Sequence, residues 1–306
     1  MSSTSSRGDT PQSADNRLAY LLFGATVVIW GTNWPIIKVG LTFFPPFWFG
    51  FLRVALGCVT LFSALLVLGR LRLPARQDLP VIFSVGFLQI AVFLAPINLA
   101  LPAVGAGRSS ILAYTTPLWV VPGAILLLGE RLHRLKLVGL LLGLLGVAIL
   151  FNPFALDWAD PVQRRGNLLL MLAAVAWAAA ILHIRSRHWK GSTLELAPWQ
   201  LLVASPPLLL GALLFDPPWT PSFSWEEVLL LLHNGVLATG FGYWCAFTVT
   251  RSLPAITTSL GFLAVPLVGV TSSVLALGET LTASMAAGLL AILLGVALVN
   301  LADLRS

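Results

Sequence analysis

Long apolar runs broken by short polar punctuation organise this chain from residue 18 to residue 302. Ten runs can be drawn, at 18–40, 46–69, 79–100, 105–128, 135–152, 166–187, 197–215, 226–250, 255–278 and 281–302, each bounded by charge or by Pro and Gly clusters. Most approach or exceed the roughly 20 apolar residues that a helix needs to cross a hydrocarbon core. The pattern predicts an all-α integral membrane protein with ten transmembrane helices. Residues 1–17, MSSTSSRGDTPQSADNR, are polar and Ser-rich and are expected to form a disordered cytoplasmic tail. No signal peptide is expected, because the first apolar run is a full span with no A-x-A pattern behind it.

The pattern also repeats. PLWVVPGAILLLGE at 117–130 returns as PLVGVTSSVLALGE at 266–279, an offset of 279 − 130 = 149 residues with seven of 14 positions identical. GLLLGLLGVAIL at 139–150 matches GLLAILLGVALV at 288–299 at the same offset, with eight of 12 identical. Leu-rich composition alone does not produce such agreement without a gap. Each copy contains five spans, an odd number, so the second copy must enter the membrane from the opposite side. The organisation expected is a first repeat at 18–152, an external linker at 153–165 and an inverted second repeat at 166–303. Inverted halves related by a pseudo-two-fold axis in the membrane plane suit a carrier that opens alternately to either side.

Composition agrees with a chain solvated by lipid: 58% of residues are hydrophobic, only 10% are charged, and the mean hydropathy is +0.91. Soluble domains are nearer a quarter charged. The net charge of +6 does not point to nucleic acid, because the Lys and Arg residues fall in short clusters between apolar runs. Their placement sets topology instead. With the amino terminus inside, 13 of the 18 basic residues lie in cytoplasmic segments, which places both termini in the cytoplasm. Cys58 and Cys245 sit inside apolar runs and read as small core residues, with no support for a disulfide or a metal site.

The paired LLLGE and LALGE endings, each 13 residues after a Pro and each followed by a Gly-rich closing helix, resemble the two EamA-type repeats of the drug/metabolite transporter superfamily. VVIWGTNWPIIKVG at 27–40 and AVAWAAAIL at 174–182 are similar to that family's first helix in each half. The resemblance covers residues 18–302 and implies a monomeric, ten-helix exporter of small metabolites in the bacterial inner membrane. Among its members the chain is similar to the YddG-type exporters of aromatic and other neutral amino acids. The repeat endings do not specify cargo, so another metabolite or a drug remains the alternative within the superfamily. An intramembrane enzyme or a channel is the alternative of another class.

A carrier of this kind binds its cargo near the bilayer midplane, between the halves. Mid-span aromatic and polar residues on common helical faces are therefore the candidates: Trp30 and Asn33 with Thr26 and Ile37, Gln89 with Phe93 and Pro96, Tyr114 with Ser110, Trp177, Tyr243 with Thr239, and Ser259 with Phe262. They suit an apolar cargo side chain flanked by a few hydrogen-bonding groups. The competing reading is ordinary: Trp and Tyr also collect at membrane interfaces, and Ser and Thr pack helices. Pro117 and Pro266, at equivalent points of the fourth and ninth spans, are candidate bending points.

Arg53 lies seven residues into the second span, and the reading favours its snorkelling to the interface over a role within the membrane. Lys38 reads as an interfacial anchor, and Glu130 and Glu279 as polar contacts or gates at opposite faces. His183 and His233 lack a second ligand at metal spacing. No span carries a carboxylate at its centre, so facilitated diffusion competes with coupling through a less usual group. No cofactor is implied, and the partners expected are a small-molecule substrate and membrane lipid.

Overall fold

Backbone in hydrocarbon has no water to bond, so apolar runs of this length close their hydrogen bonds internally as helices. The computed structural model describes residues 11–104, 106–151, 160–220, 222, 224–277 and 283–303, and no strand occurs among them. The first half contains α1 (Pro11–Phe43), α2 (Pro46–Val67), α3 (Arg76–Val104), α4 (Ala106–Leu128, in two pieces) and α5 (Arg134–Phe151). The second contains α6 (Pro161–Ser186), α7 (Thr193–Phe215), α8 (Trp225–Ser252), α9 (Ala255–Leu277, in two pieces) and α10 (Ala283–Asp303). Each apolar run of the sequence has a helix over it. Among the described residues, eight helices are long and apolar enough to cross a membrane, α5 and α10 standing outside that set.

Helix starts follow from local chemistry. Pro46 opens α2 at a position where a missing N–H costs nothing. Ser192 and Glu195 form a reciprocal capping box on α7, the Ser192 hydroxyl accepting from Glu195 N–H at 3.2 Å and the Glu195 carboxylate from Ser192 N–H at 3.0 Å. Helix α1 begins at Pro11, so residues 11–17 of the expected disordered tail are helical; Pro fits a first turn, and the run behind it carries the helix on. Residues 1–10 of that tail, most of the expected linker, and Glu279 lie outside the described residues.

The packing respects the repeat. Helix α1 lies against α8 and α9, α6 lies against α3 and α4, α2 pairs with α7, and α5 pairs with α10. Exchanging each helix with its counterpart five places along maps this set of pairs onto itself. Leucines such as Leu66, Leu126, Leu213 and Leu275 face outward.

The α5–α10 crossing shows what the repeated glycines are for. A Cβ on Gly146 would stand 2.5 Å from the Gly288 carbonyl oxygen, and one on Gly295 would stand 2.6 Å from that of Gly139. Both pairs are related by the 149-residue offset. Lipid supplies little hydrophobic drive between helices, so association relies on such close backbone approach. At one end of the bundle, the Glu130 carboxylate accepts from Ala255 N–H at 2.8 Å and Ile256 N–H at 3.2 Å. Lys136 Nζ donates to Thr257 Oγ1 at 3.3 Å beside it. The end of α4 and the start of α5 are thereby tied to the start of α9.

Two outcomes follow. Gly146→Val should lower the melting temperature of the detergent-purified protein by the equivalent of about 1–3 kcal/mol, the usual cost of overpacking, whereas Leu145→Val, at an outward-facing position 53% exposed, should leave it nearly unchanged. Glu130→Ala orphans two N–H groups and should lower the same melting temperature, with Glu130→Gln retaining part of the loss because one acceptor oxygen remains.

Candidate functional site

Four departures from regular α-helix occur in the bundle, and they come in two repeat-related pairs. Helix α3 widens into a π-helical stretch at Val85–Ala91 and α8 does so at His233–Phe241, and the first range shifted by the 149-residue offset falls within the second. Helix α4 breaks between Ala113 and Pro117, and α9 breaks between Gly261 and Ala264. Pro117 is the first residue of the second piece of α4, and Pro266 follows two residues into that of α9. Both prolines, which have no N–H to give to the helix ladder, thus stand at or just past a break. Thr116 Oγ1 compensates in α4 by donating to Ala113 O at 3.1 Å. Irregular backbone at depth is tolerated only where protein or a cavity covers it, and π-turns recur at functional sites.

The aromatic candidates gather around these interruptions. The Trp30 indole Nε1–H donates to Ala238 O in the π stretch of α8 at 2.9 Å. Its ring meets Trp177 edge-on at 5.2 Å and Tyr243 at 5.4 Å, and stacks on Phe262 at 5.8 Å. Trp177 lies 4.5 Å from Phe93. Such ring pairs contribute about 0.5–1.5 kcal/mol each beyond their buried area. Tyr114 and Phe262 stand at the two helix breaks, and Trp34 contacts Tyr114 at 6.4 Å.

Of the nine candidate site residues, Trp30, Asn33, Phe93, Tyr114 and Tyr243 line one cavity, together with Trp34, Ile37 and Arg53. Trp177 and Phe262 instead support Trp30 from behind. Gln89 is buried in the π stretch of α3, and its Oε1 has no hydrogen-bond partner among the described residues. Ser259 spends its hydroxyl on Ile256 O at 3.0 Å. The free volume of the cavity is about 30 Å³, room for one or two waters. A cargo the size of an amino acid requires the helices to part.

Arg53 corrects the sequence reading. It is 2% exposed and does not reach an interface. Its Nε donates to Thr239 Oγ1 at 3.0 Å, and its guanidinium carbon lies 5.9 Å from the Phe49 ring centroid. The π stretch of α8 brings Thr239 to the guanidinium and holds it inside, a placement that helical periodicity in α2 alone does not disclose. Gly86 and Gly235, related by the 149-residue offset at the two π stretches, are the sequence signal that was available for these interruptions. Both cysteines are buried and unpaired with each other. His183 Nδ1 is hydrogen-bonded to Ser84 Oγ at 2.8 Å, and no group of three or more His, Cys, Asp or Glu converges among the described residues.

Known proteins share this organisation. The EamA-like transporter family matches the chain twice, over residues 17–152 and 164–301. The chain is 30% identical over 286 residues to the uncharacterized transporter YvbV of Bacillus subtilis (strain 168), covering 92% of this chain and 90% of that protein. It is 29% identical over 287 residues to a probable amino-acid metabolite efflux pump of Escherichia coli (strain K12), covering 91% and 93%. A protein of known crystal structure shares the fold with a TM-score of 0.75 at 21% identity, over 94% of this chain and 99% of that one. The chain therefore belongs to the EamA-like transporter family, as a multi-pass membrane transporter and not an enzyme.

Proposed function

We propose that this transporter exports neutral amino acids, aromatic ones included, across the bacterial inner membrane as a monomer. In this reading all ten helices cross the bilayer, the two five-helix halves at 18–152 and 166–303 are inverted, and both termini are cytoplasmic. Helix α5 has 18 residues and α10 has 21, about 27 and 32 Å at 1.5 Å per residue, close to the hydrocarbon thickness. The exchange symmetry of the helix pairs supports inverted halves.

The observation that carries the reading is the cavity itself. Aromatic rings from α1, α3, α4 and α8 surround a few polar atoms, with Phe93 and Tyr243 each two residues past a π stretch and Tyr114 at the break in α4. That arrangement presents π faces to an apolar side chain and sparse hydrogen-bonding groups to polar ends. The 29% identity to an amino-acid metabolite efflux pump supports the cargo class.

Transport then proceeds by alternating access. Parting of the halves at the cytoplasmic end admits cargo against Trp30, with Trp177 holding that ring in place. The contacts of Glu130 and Lys136 with the start of α9 close one end while the other opens. The broken helices α4 and α9 are the natural places for bending, because their backbone ladders are already interrupted. No carboxylate is among the described residues that line the cavity, which supports a reading of movement down the cargo gradient without a proton.

Liposomes containing only the purified protein should take up labelled phenylalanine, threonine and methionine without an imposed pH gradient. A strict requirement for a pH gradient overturns facilitated diffusion, and failure to move any of the three overturns the amino-acid reading. Trp30→Ala and Trp177→Ala should each lower the transport kcat/KM at least tenfold while the protein still purifies as a monodisperse species. Unchanged uptake in both removes these rings from the pathway.

A further inference from the structure

Among the described residues that line the aromatic cavity, Arg53 is the one cation and no carboxylate is present. One face of its chemistry is accounted for by the Nε–Thr239 hydrogen bond and the Phe49 ring. The other is not: Nη1 is fully buried and has no hydrogen-bond partner among the described residues. A guanidinium stays charged and cannot escape burial by losing its proton. Holding such a group in a low-dielectric interior with part of its donor fork unused is costly, and the cost is recovered when an anion accepts from it. A carboxylate matches the planar fork.

Two neighbours narrow the ligand further. Asn33 lines the same cavity, and its Oδ1 is likewise buried without a partner; a carbonyl oxygen accepts, so it suits an ammonium donor. Trp30, Trp34 and Tyr114 supply apolar faces. Neither the 147-residue step that relates Trp30 to Trp177 nor the 149-residue offset leads from Arg53 to a basic residue: they reach Gln200, a buried neutral amide, and Leu202. The positive charge therefore belongs to one half only, so it is not a requirement of the scaffold that both halves share.

We infer that Arg53 is the seat of the cargo's carboxylate, making the carrier selective for organic acids, amino acids among them, over the corresponding amides and alcohols, which lack the carboxylate. The inference deepens the amino-acid reading and is separable from it. In liposomes, unlabelled phenylalanine should compete with labelled phenylalanine at least tenfold better than phenylalaninamide does, and Arg53→Gln should raise KM for phenylalanine at least tenfold and erase that preference. Detergent-purified wild-type protein should be stabilised against heat by 3-phenylpropionate and not by 3-phenylpropionamide. The second measurement needs neither a variant that folds nor any amino-acid transport. If phenylalanine is not carried but the acid stabilises and the amide does not, the amino-acid reading falls and the role of Arg53 stands. Equal or no stabilisation by the acid and its amide, or an unchanged KM in a folded Arg53→Gln, overturns the inference.

Discussion

The hydrogen bond from Trp30 to the carbonyl of Ala238 joins the two halves at their most irregular point. A π turn displaces a carbonyl from its regular ladder, and in an apolar medium that oxygen has to find a donor within the protein. The indole provides one. Its ring is thereby fixed in orientation, and Trp177, Tyr243 and Phe262 pack against a surface that does not rotate. A bond of this type in a membrane protein is worth only about 0.6–2 kcal/mol. Its importance lies in geometry: moving α8 relative to α1 disturbs the whole aromatic cluster at once, so local packing and the relative position of the halves are one variable.

Around that centre, rigidity and compliance are divided between different helices. Helices α5 and α10 cross with backbone against backbone at Gly146 and Gly295, a contact that tolerates little sliding because no side chain is present to yield. Helices α4 and α9 are each interrupted, and the missing ladder bonds have already been given up in the folded state. Bending there costs less than bending an intact helix. The duplicated sequence thus supplies one helix of the fixed crossing and one interrupted helix from each half.

Much of this was legible from the sequence because the bilayer imposes strong rules. The ten apolar runs, the repeat and the mid-span Trp30 follow from length, offset and helical period, and the prolines at 117 and 266 mark real breaks. The period also put Trp30, Asn33 and Ile37 on one face, and all three line the cavity. What the sequence hid depends on contacts between distant helices. Nothing in α2 reveals that Thr239 reaches Arg53, so a buried cation looked like a snorkelling one. Ser259 has the right depth, yet its hydroxyl turns back to its own helix. Gln89 lies within the π stretch of α3, buried but not lining the cavity, and that change of winding is not visible in the apolar period.

The one-sided charge has an electrical consequence. A zwitterion brings no net charge, so a carrier whose site holds a single arginine has the same net charge when loaded as when unloaded. Membrane voltage then acts equally on the outward and return journeys, and it cannot bias the cycle. Direction is left to the chemical concentrations on the two sides. On the proposed amino-acid reading, such a protein would act as a relief valve, discharging whichever amino acid the cell has made in excess and falling idle when the excess is gone.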